Sequence, residues 1–256
     1  MNLRCIQFSA ALFGILMGVL PAALASAEGM AAADQVSLES YYQLMDVHLY
    51  THSGMSRSAL SGAQHDAARD SILALFQSYG LSAHLETFSG YYSGENVVAE
   101  KLGTLYPDQI FVFGAHYDSV NCPGANDNAS GVAGVLEAAR VLSQYPSDYT
   151  IRFIAFDQEE QGLIGSEEYV DAHADDNFLG MISADMIAYD PGTDTCNIYG
   201  RTASNPIKAS LAAAVGEYGQ GLTPIIGGDT PYSNHAPFES AGFQACLLIE
   251  GEVWSD

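Results

Sequence analysis

Short apolar runs alternate with stretches of helical periodicity along most of this chain. Between Ser58 and Tyr79, the residues Ala68, Ile72, Leu75, Phe76 and Tyr79 recur at three- and four-residue steps. That spacing predicts an amphipathic helix, which Gly80 stops. Ser37–His52 carries a similar pattern. Further helices are predicted over "SGVAGVLEAARVLSQYP", ended by Pro146, over "IGSEEYVDAHA", and over "NPIKASLAAAVGEYG", with Pro206 early and Gly219 late. Strands are predicted at "HLETF", "ENVVAEKLG", "QIFVFGAHYDS", "TIRFIAFDQEE", "FLGMISADMIAYD", "TCNIYG" and "QACLLIEGE". Strands that alternate with helices imply an α/β fold with a mostly parallel sheet covered on both faces. In such sheets ligands gather beyond the carboxyl ends of the strands.

The first residues do not fit that scheme. "MNLRCIQFSAALFGILMGVLPAALASAEGM" has one base, Arg4, then an apolar core, then Ala23-Leu24-Ala25 and Ala25-Ser26-Ala27. Small residues at that spacing predict a secretory signal peptide over 1–27, with a retained membrane anchor as the alternative. The expected mature domain is 28–256, in the secreted or periplasmic space. No later run is long and apolar enough to span a bilayer.

The formal net charge is −23, and cleavage would remove Arg4 but no acid. So acidic a surface repels phosphate backbones and anionic lipid. Nucleic acid and membrane are therefore not expected partners, and a monomer is expected. Three cysteines follow the leader, Cys122, Cys196 and Cys246. Export permits a disulfide, but the odd number leaves one unpaired or missing its partner.

The chemistry concentrates where apolar strands end. "FDQEEQGLIGS" climbs from a buried run into Asp157, Glu159 and Glu160. Adjacent carboxylates repel and resist desolvation, so something must offset the cost. Two other strands end at His116 and Asp185. "PGANDNASGVAG" sets Asp127 before a helix start, where backbone N–H groups can hold a carboxylate. Singly, these are ordinary features: a partly buried His, a solvated first turn, an N-cap, a strand-end acid. Together, on one predicted rim, they suit zinc or a related divalent ion. Asp118, two residues after His116, is placed to orient its imidazole. His48, His52, His65, His84 and His173 lack ligand spacing and are read as structural.

"GAHYDSV", "PGANDNASGVAGVLEAAR", "FIAFDQEEQGLIGSEEYV", "SADMIAYD" and "YSNHAPFESAGFQACLLIE" together resemble the secreted zinc aminopeptidases with two co-catalytic metals, the leucyl-aminopeptidase type of metallopeptidase family twenty-eight. Glutaminyl cyclases and glutamate carboxypeptidase II are relatives. The resemblance runs from about residue 90 onward. It implies a three-layer α/β/α domain with a mixed central sheet of the zinc-peptidase, phosphorylase/hydrolase-like kind. It implies that His116 and Asp185 each bind one zinc, that Asp127 bridges both, that Glu160 binds the other ion and that Glu159 is the general base. The substrates implied are peptides with a free N-terminus.

Two departures qualify this. His235 in "SNHAPF" matches a family "SDH" block, but Asn234 stands where the Asp is usual, so no ligand role is assigned to it. The family also has a last histidine ligand beyond the strand matched by "LLIE", and none follows Glu250 here. The expectation is a chain cut before that residue, with one zinc position incomplete. The alternatives are a glutaminyl cyclase-like acyltransferase and a non-catalytic zinc-binding homologue.

Overall fold

A computed structural model describes residues 27–89 and 92–251. The predicted leader lies outside the described residues, apart from Ala27, which opens the first helix. Among the described residues, no helix is long and apolar enough to cross a membrane.

The helices are α1 (Ala27–Ala33), α2 (Leu38–Gln43), α3 (His65–Ser78), α4 (Gly131–Leu142), α5 (Ile164–Ala172), α6 (Asn205–Tyr218) and α7 (His235–Ser240). The strands are β1 (Ser82–Ser89), β2 (Ser93–Lys101), β3 (Tyr106–His116), β4 (Tyr149–Phe156), β5 (Asn177–Ala184), β6 (Thr195–Tyr199), β7 (Thr223–Ile226) and β8 (Ala245–Glu250). They form one eight-stranded sheet in the order β1-β2-β4-β3-β5-β8-β6-β7. The central strands β4, β3, β5 and β8 run parallel. The β1–β2, β2–β4 and β6–β8 pairs are antiparallel. The expected mixed α/β sheet is thus present.

The two-residue period of a strand divides the core. Phe111, Phe113 and Ala115 of β3 join the larger cluster, with Ala68, Ile72 and Phe76 of α3 and nearly all of α4. Ile110 and Val112 face the other way, toward Tyr169, Val170 and Phe238 of α5 and α7. Phe156, the last residue of β4, stands edge-on to Tyr169 and Phe238, with ring centroids 5.9 and 6.3 Å away. Such pairs add ~0.5–1.5 kcal/mol each beyond the area they bury. This aromatic cluster fixes the strand end from which the paired glutamates depart.

Several element ends differ from the sequence pattern for local reasons. Helix α3 starts at His65, not Ser58, because a tight turn occupies Ser58–Gly62. There the Gly62 N–H donates to the Ser58 carbonyl at 2.6 Å, and a Cβ on Gly62 would lie 2.3 Å from the Ser58 nitrogen. Strand β5 ends at Ala184, since the next residues turn through Met186 at positive φ. Strand β7 and helix α7 are additional elements. Both are short and each contains a proline, so neither carries a readable period.

Candidate metal centre

His116, Asp127, Glu159, Glu160 and Asp185 line one cleft of about 540 Å³ at the carboxyl ends of β3, β4 and β5. His116 closes β3 and is 1% exposed. Its Nδ1 lies 3.2 Å from the Asp118 carbonyl oxygen and 3.4 Å from Asp118 Oδ1. A proton on Nδ1 therefore leaves the Nε2 lone pair directed into the cleft. Around Nε2 stand Asp127 Oδ1 at 3.2 Å, Asp185 Oδ1 at 3.6 Å and Glu159 Oε2 at 4.0 Å.

Asp127 does not cap helix α4. Its φ of −103° and ψ of 99° are extended, and its peptide bond to Asn128 is cis. Asn128 supplies the cap instead, its Oδ1 accepting the Gly131 N–H at 2.9 Å and its amide donating to the Ala184 carbonyl at 2.9 Å. That arrangement releases the Asp127 carboxylate toward His116. Asp185 follows β5 directly, and its N–H donates to the Leu248 carbonyl at 3.0 Å.

The neighbouring glutamates are brought to one site by a turn. Gln158 takes a left-handed conformation, φ 55°, just past β4. The Glu159 N–H then donates to Asp118 Oδ1 at 3.1 Å and the Glu160 N–H to Oδ2 at 3.2 Å. Asp118, fully buried, thus organises the glutamate turn as well as standing beside His116. Glu160 Oε1 accepts the Val120 N–H at 3.1 Å. Burial pushes the Glu159 carboxyl up to about 7, with Asp185, Asp118 and Glu160 adding to the rise and His116 opposing it. Glu160 is also raised to about 7, chiefly by burial and then by Asp127. Burial alone would depress His116, yet Glu159 and Asp185, together with hydrogen bonds that Asp118 and Asp127 accept from the ring, hold it well above its ordinary value.

So much negative charge around one imidazole favours a cation. Among the described residues, His116, Asp127 and Asp185 form the one group whose ligand atoms all lie within 4.8 Å of one another. Asp185 Oδ1 is buried with no hydrogen-bond partner, an orphaned acceptor that a cation would satisfy. A nitrogen and two carboxylates are a donor set suited to a divalent ion, so these residues fit a metal. Glu160 lies in the same cleft but outside that tight group.

A profile of Peptidase family M28 matches residues 96–253, a stretch holding all five of these side chains. The chain belongs to peptidase family M28. Aminopeptidase YwaD of Bacillus subtilis (strain 168) is 37% identical over 188 residues, which covers 70% of this chain and 40% of that protein. The chain spans only 35% to 40% of the length of the first curated relatives it matches. Two solved structures share the fold. LapB from Legionella pneumophila has a TM-score of 0.80 at 22% identity, covering 97% of this chain and 71% of its own. Glutaminyl cyclase from Porphyromonas gingivalis has a TM-score of 0.66 at 23% identity, covering 85% and 88%.

Within this M28 chain, His65 and His173 lie outside the cleft and pair with carboxylates. His65 Nε2 lies 2.8 Å from Asp157 Oδ1, and His173 lies between Glu86 and Asp176. The three described cysteines are all free thiols, Cys122 exposed and Cys196 and Cys246 buried. His235 is fully buried on α7 and does not line the cleft. Sequence reasoning missed two supports. Glu250 accepts the Asn126 amide at 3.0 Å and the Tyr189 N–H at 2.9 Å, tying the Asp127 and Asp185 loops together. Arg57, from before the first strand, reaches the loop after His116.

Proposed function

We propose that this protein is an exported zinc aminopeptidase that removes N-terminal residues from peptides. The observation that carries the reading is His116 Nε2 facing Asp127, Asp185 and Glu159 across an open cleft, beside the orphaned Asp185 oxygen. The 37% identity to an enzyme called an aminopeptidase supports it. Residues 1–27 would be the signal peptide and 28–256 the catalytic domain, active as a monomer outside the cytoplasm.

In this reading His116, Asp127 and Asp185 would hold one zinc ion, and Asp127 with Glu160 a second. When bound, the ions would polarise the scissile carbonyl and make the attacking water more acidic. Glu159, already raised toward neutrality by burial, takes the proton from that water and passes it to the leaving amine. Its neighbour cannot share that task, because coordination would occupy the lone pair a base needs. Met186, Leu247, Ile249 and Tyr199 form an apolar wall suited to a large apolar N-terminal side chain. The surrounding acids attract the substrate's free amine.

The test uses residues 28–256, dialysed against a mild chelator, with zinc analysis, a leucine-anilide assay and an assay for ammonia release from N-terminal Gln. With three ligands on one position and two on the other, one zinc is expected to stay tightly bound and a second weakly. Anilide turnover should follow occupancy of the second position. Ammonia release in place of anilide cleavage would favour a glutaminyl cyclase-like acyltransferase. Zinc retained under saturating metal without either activity would favour a non-catalytic zinc-binding protein. Folded protein that retains no zinc would sink the ligand assignment.

A further inference from the structure

Arg57 lies upstream of β1, outside residues 96–253, and is fully buried. A guanidinium keeps its charge at neutral pH, so its burial demands acceptors for its donors. Here the acceptors are backbone carbonyls of a single segment. Nε–H donates to Tyr117 at 2.9 Å, one terminal nitrogen donates to Gly124 at 3.0 Å, and the other donates to Pro123. The Arg57 backbone N–H donates to Ser119 Oγ at 3.1 Å, and the adjacent Ser56 hydroxyl donates to the Val120 carbonyl at 3.2 Å.

That segment, 117–124, joins His116 to the Asp127 turn. Gly124 bends it at φ 62°, and a Cβ there would lie 2.4 Å from the Asp127 carbonyl oxygen and 3.1 Å from an Arg57 terminal nitrogen. The loop therefore folds closely onto the guanidinium. It also contributes the Val120 N–H that holds Glu160 Oε1. Burial pushes Arg57 down to about 10, opposed by Asp118, Cys122 and Asp127, so it stays cationic at neutral pH. One cation thus gathers both ends of the loop and stands near two of the site's acids.

We infer that Arg57 is a positioning residue for the metal centre: it clamps the 117–124 loop so that Asp127 and Glu160 present their carboxylates opposite His116. The inference rests on the metal-centre reading above. A buried arginine serving stability alone would leave zinc affinity untouched in any variant that still folds. The clamp requires affinity to fall.

The experiment compares residues 28–256 as wild type, Arg57→Met, Arg57→Lys and Ser119→Ala. Zinc affinity is read by competition with a chromophoric chelator, and hydrogen exchange of the 119–124 amides is read on metal-free protein. Arg57→Met should bind zinc roughly 10- to 100-fold more weakly, the usual loss when a residue that orients metal ligands is removed. Arg57→Lys keeps the charge, but a single ammonium cannot span the Tyr117 and Gly124 carbonyls, so it should fall between Met and wild type. Ser119→Ala should show a smaller loss and faster loop exchange. If Arg57→Met does not fold, the Lys and Ala variants decide the matter. Folded variants with wild-type affinity and wild-type loop exchange would overturn the clamp. Wild-type protein that binds no zinc would instead overturn the metal-centre reading, and the inference with it.

Discussion

Asp118 accepts the Glu159 backbone N–H on one carboxylate oxygen at 3.1 Å, and its other oxygen takes the Glu160 N–H at 3.2 Å. An acid past the end of β3 therefore sets the conformation of the turn past β4. Asp118→Asn leaves one acceptor and turns an NH₂ group toward the other N–H. The expected result is a 10- to 100-fold loss of turnover together with weaker zinc binding, on the scale typical of residues that orient metal ligands. Steady-state kinetics and chelator competition check it, and unchanged values in both would refute the role.

Glu159 and Glu160 are expected to separate in their phenotypes. Glu159→Gln should retain zinc and lose at least ~100-fold in turnover, within the range for a positioned acid–base group. Glu160→Gln should lower zinc content as well as rate. Metal analysis of the two purified variants distinguishes them, and loss of all zinc from Glu159→Gln would mean that the two roles are exchanged.

His235 makes the fold sensitive to acid. Both ring nitrogens lack hydrogen-bond partners, and burial pushes the imidazole down to about 4, opposed by the nearby Thr230 backbone and Asp229 and reinforced by Arg201. The unfolded chain protonates near pH 6.5, so it takes up the proton first as pH falls. Stability is therefore intact above about pH 6.5 and declines down to pH 4, by about 3 kcal/mol. Urea unfolding of metal-free wild type and His235→Phe at pH 7 and pH 4 checks this. The variant should lose less by about that amount, and equal losses would contradict it.

Gly131 opens α4 against the site. An added Cβ would lie 2.3 Å from the Ala184 carbonyl oxygen and 2.4 Å from Asn128 Oδ1, neither of which can retreat easily. Gly131→Ala should destabilise the protein by ~1–3 kcal/mol, the usual cost of overpacking. It should also weaken zinc binding, because Asn128 adjoins Asp127. A thermal melt and a zinc titration measure the two effects.

The strand ends that carry the site are legible in sequence because several apolar runs end in His or acid one after another, and because His116, the two glutamates and Asp185 follow strands that prove to be neighbours. The turn that aims both glutamates is less legible. It depends on Gln158 at positive φ and on Asp118 from another strand, and neither has a local signature. Helix α4 is legible as a helix, but its cap is not: Asp127 and Asn128 are equally good caps by composition, and only packing against Ala184 selects Asn128. Arg57, in the polar stretch Met55–Ser58, reads as a solvated loop residue, since its burial depends wholly on tertiary contacts.

The attachment of Asp185 to β8 bears on when the cleft takes its shape. The Asp185 N–H is held by Leu248, the Glu250 N–H returns to the Met186 carbonyl at 3.0 Å, and the Glu250 carboxylate gathers the Asn126 and Tyr189 groups on either side. Asp185 is thus locked by residues more than sixty positions downstream. A chain that has not yet delivered β8 to the sheet lacks these contacts, so the Asp185 side of the cleft takes its shape only once β8 has paired with β5.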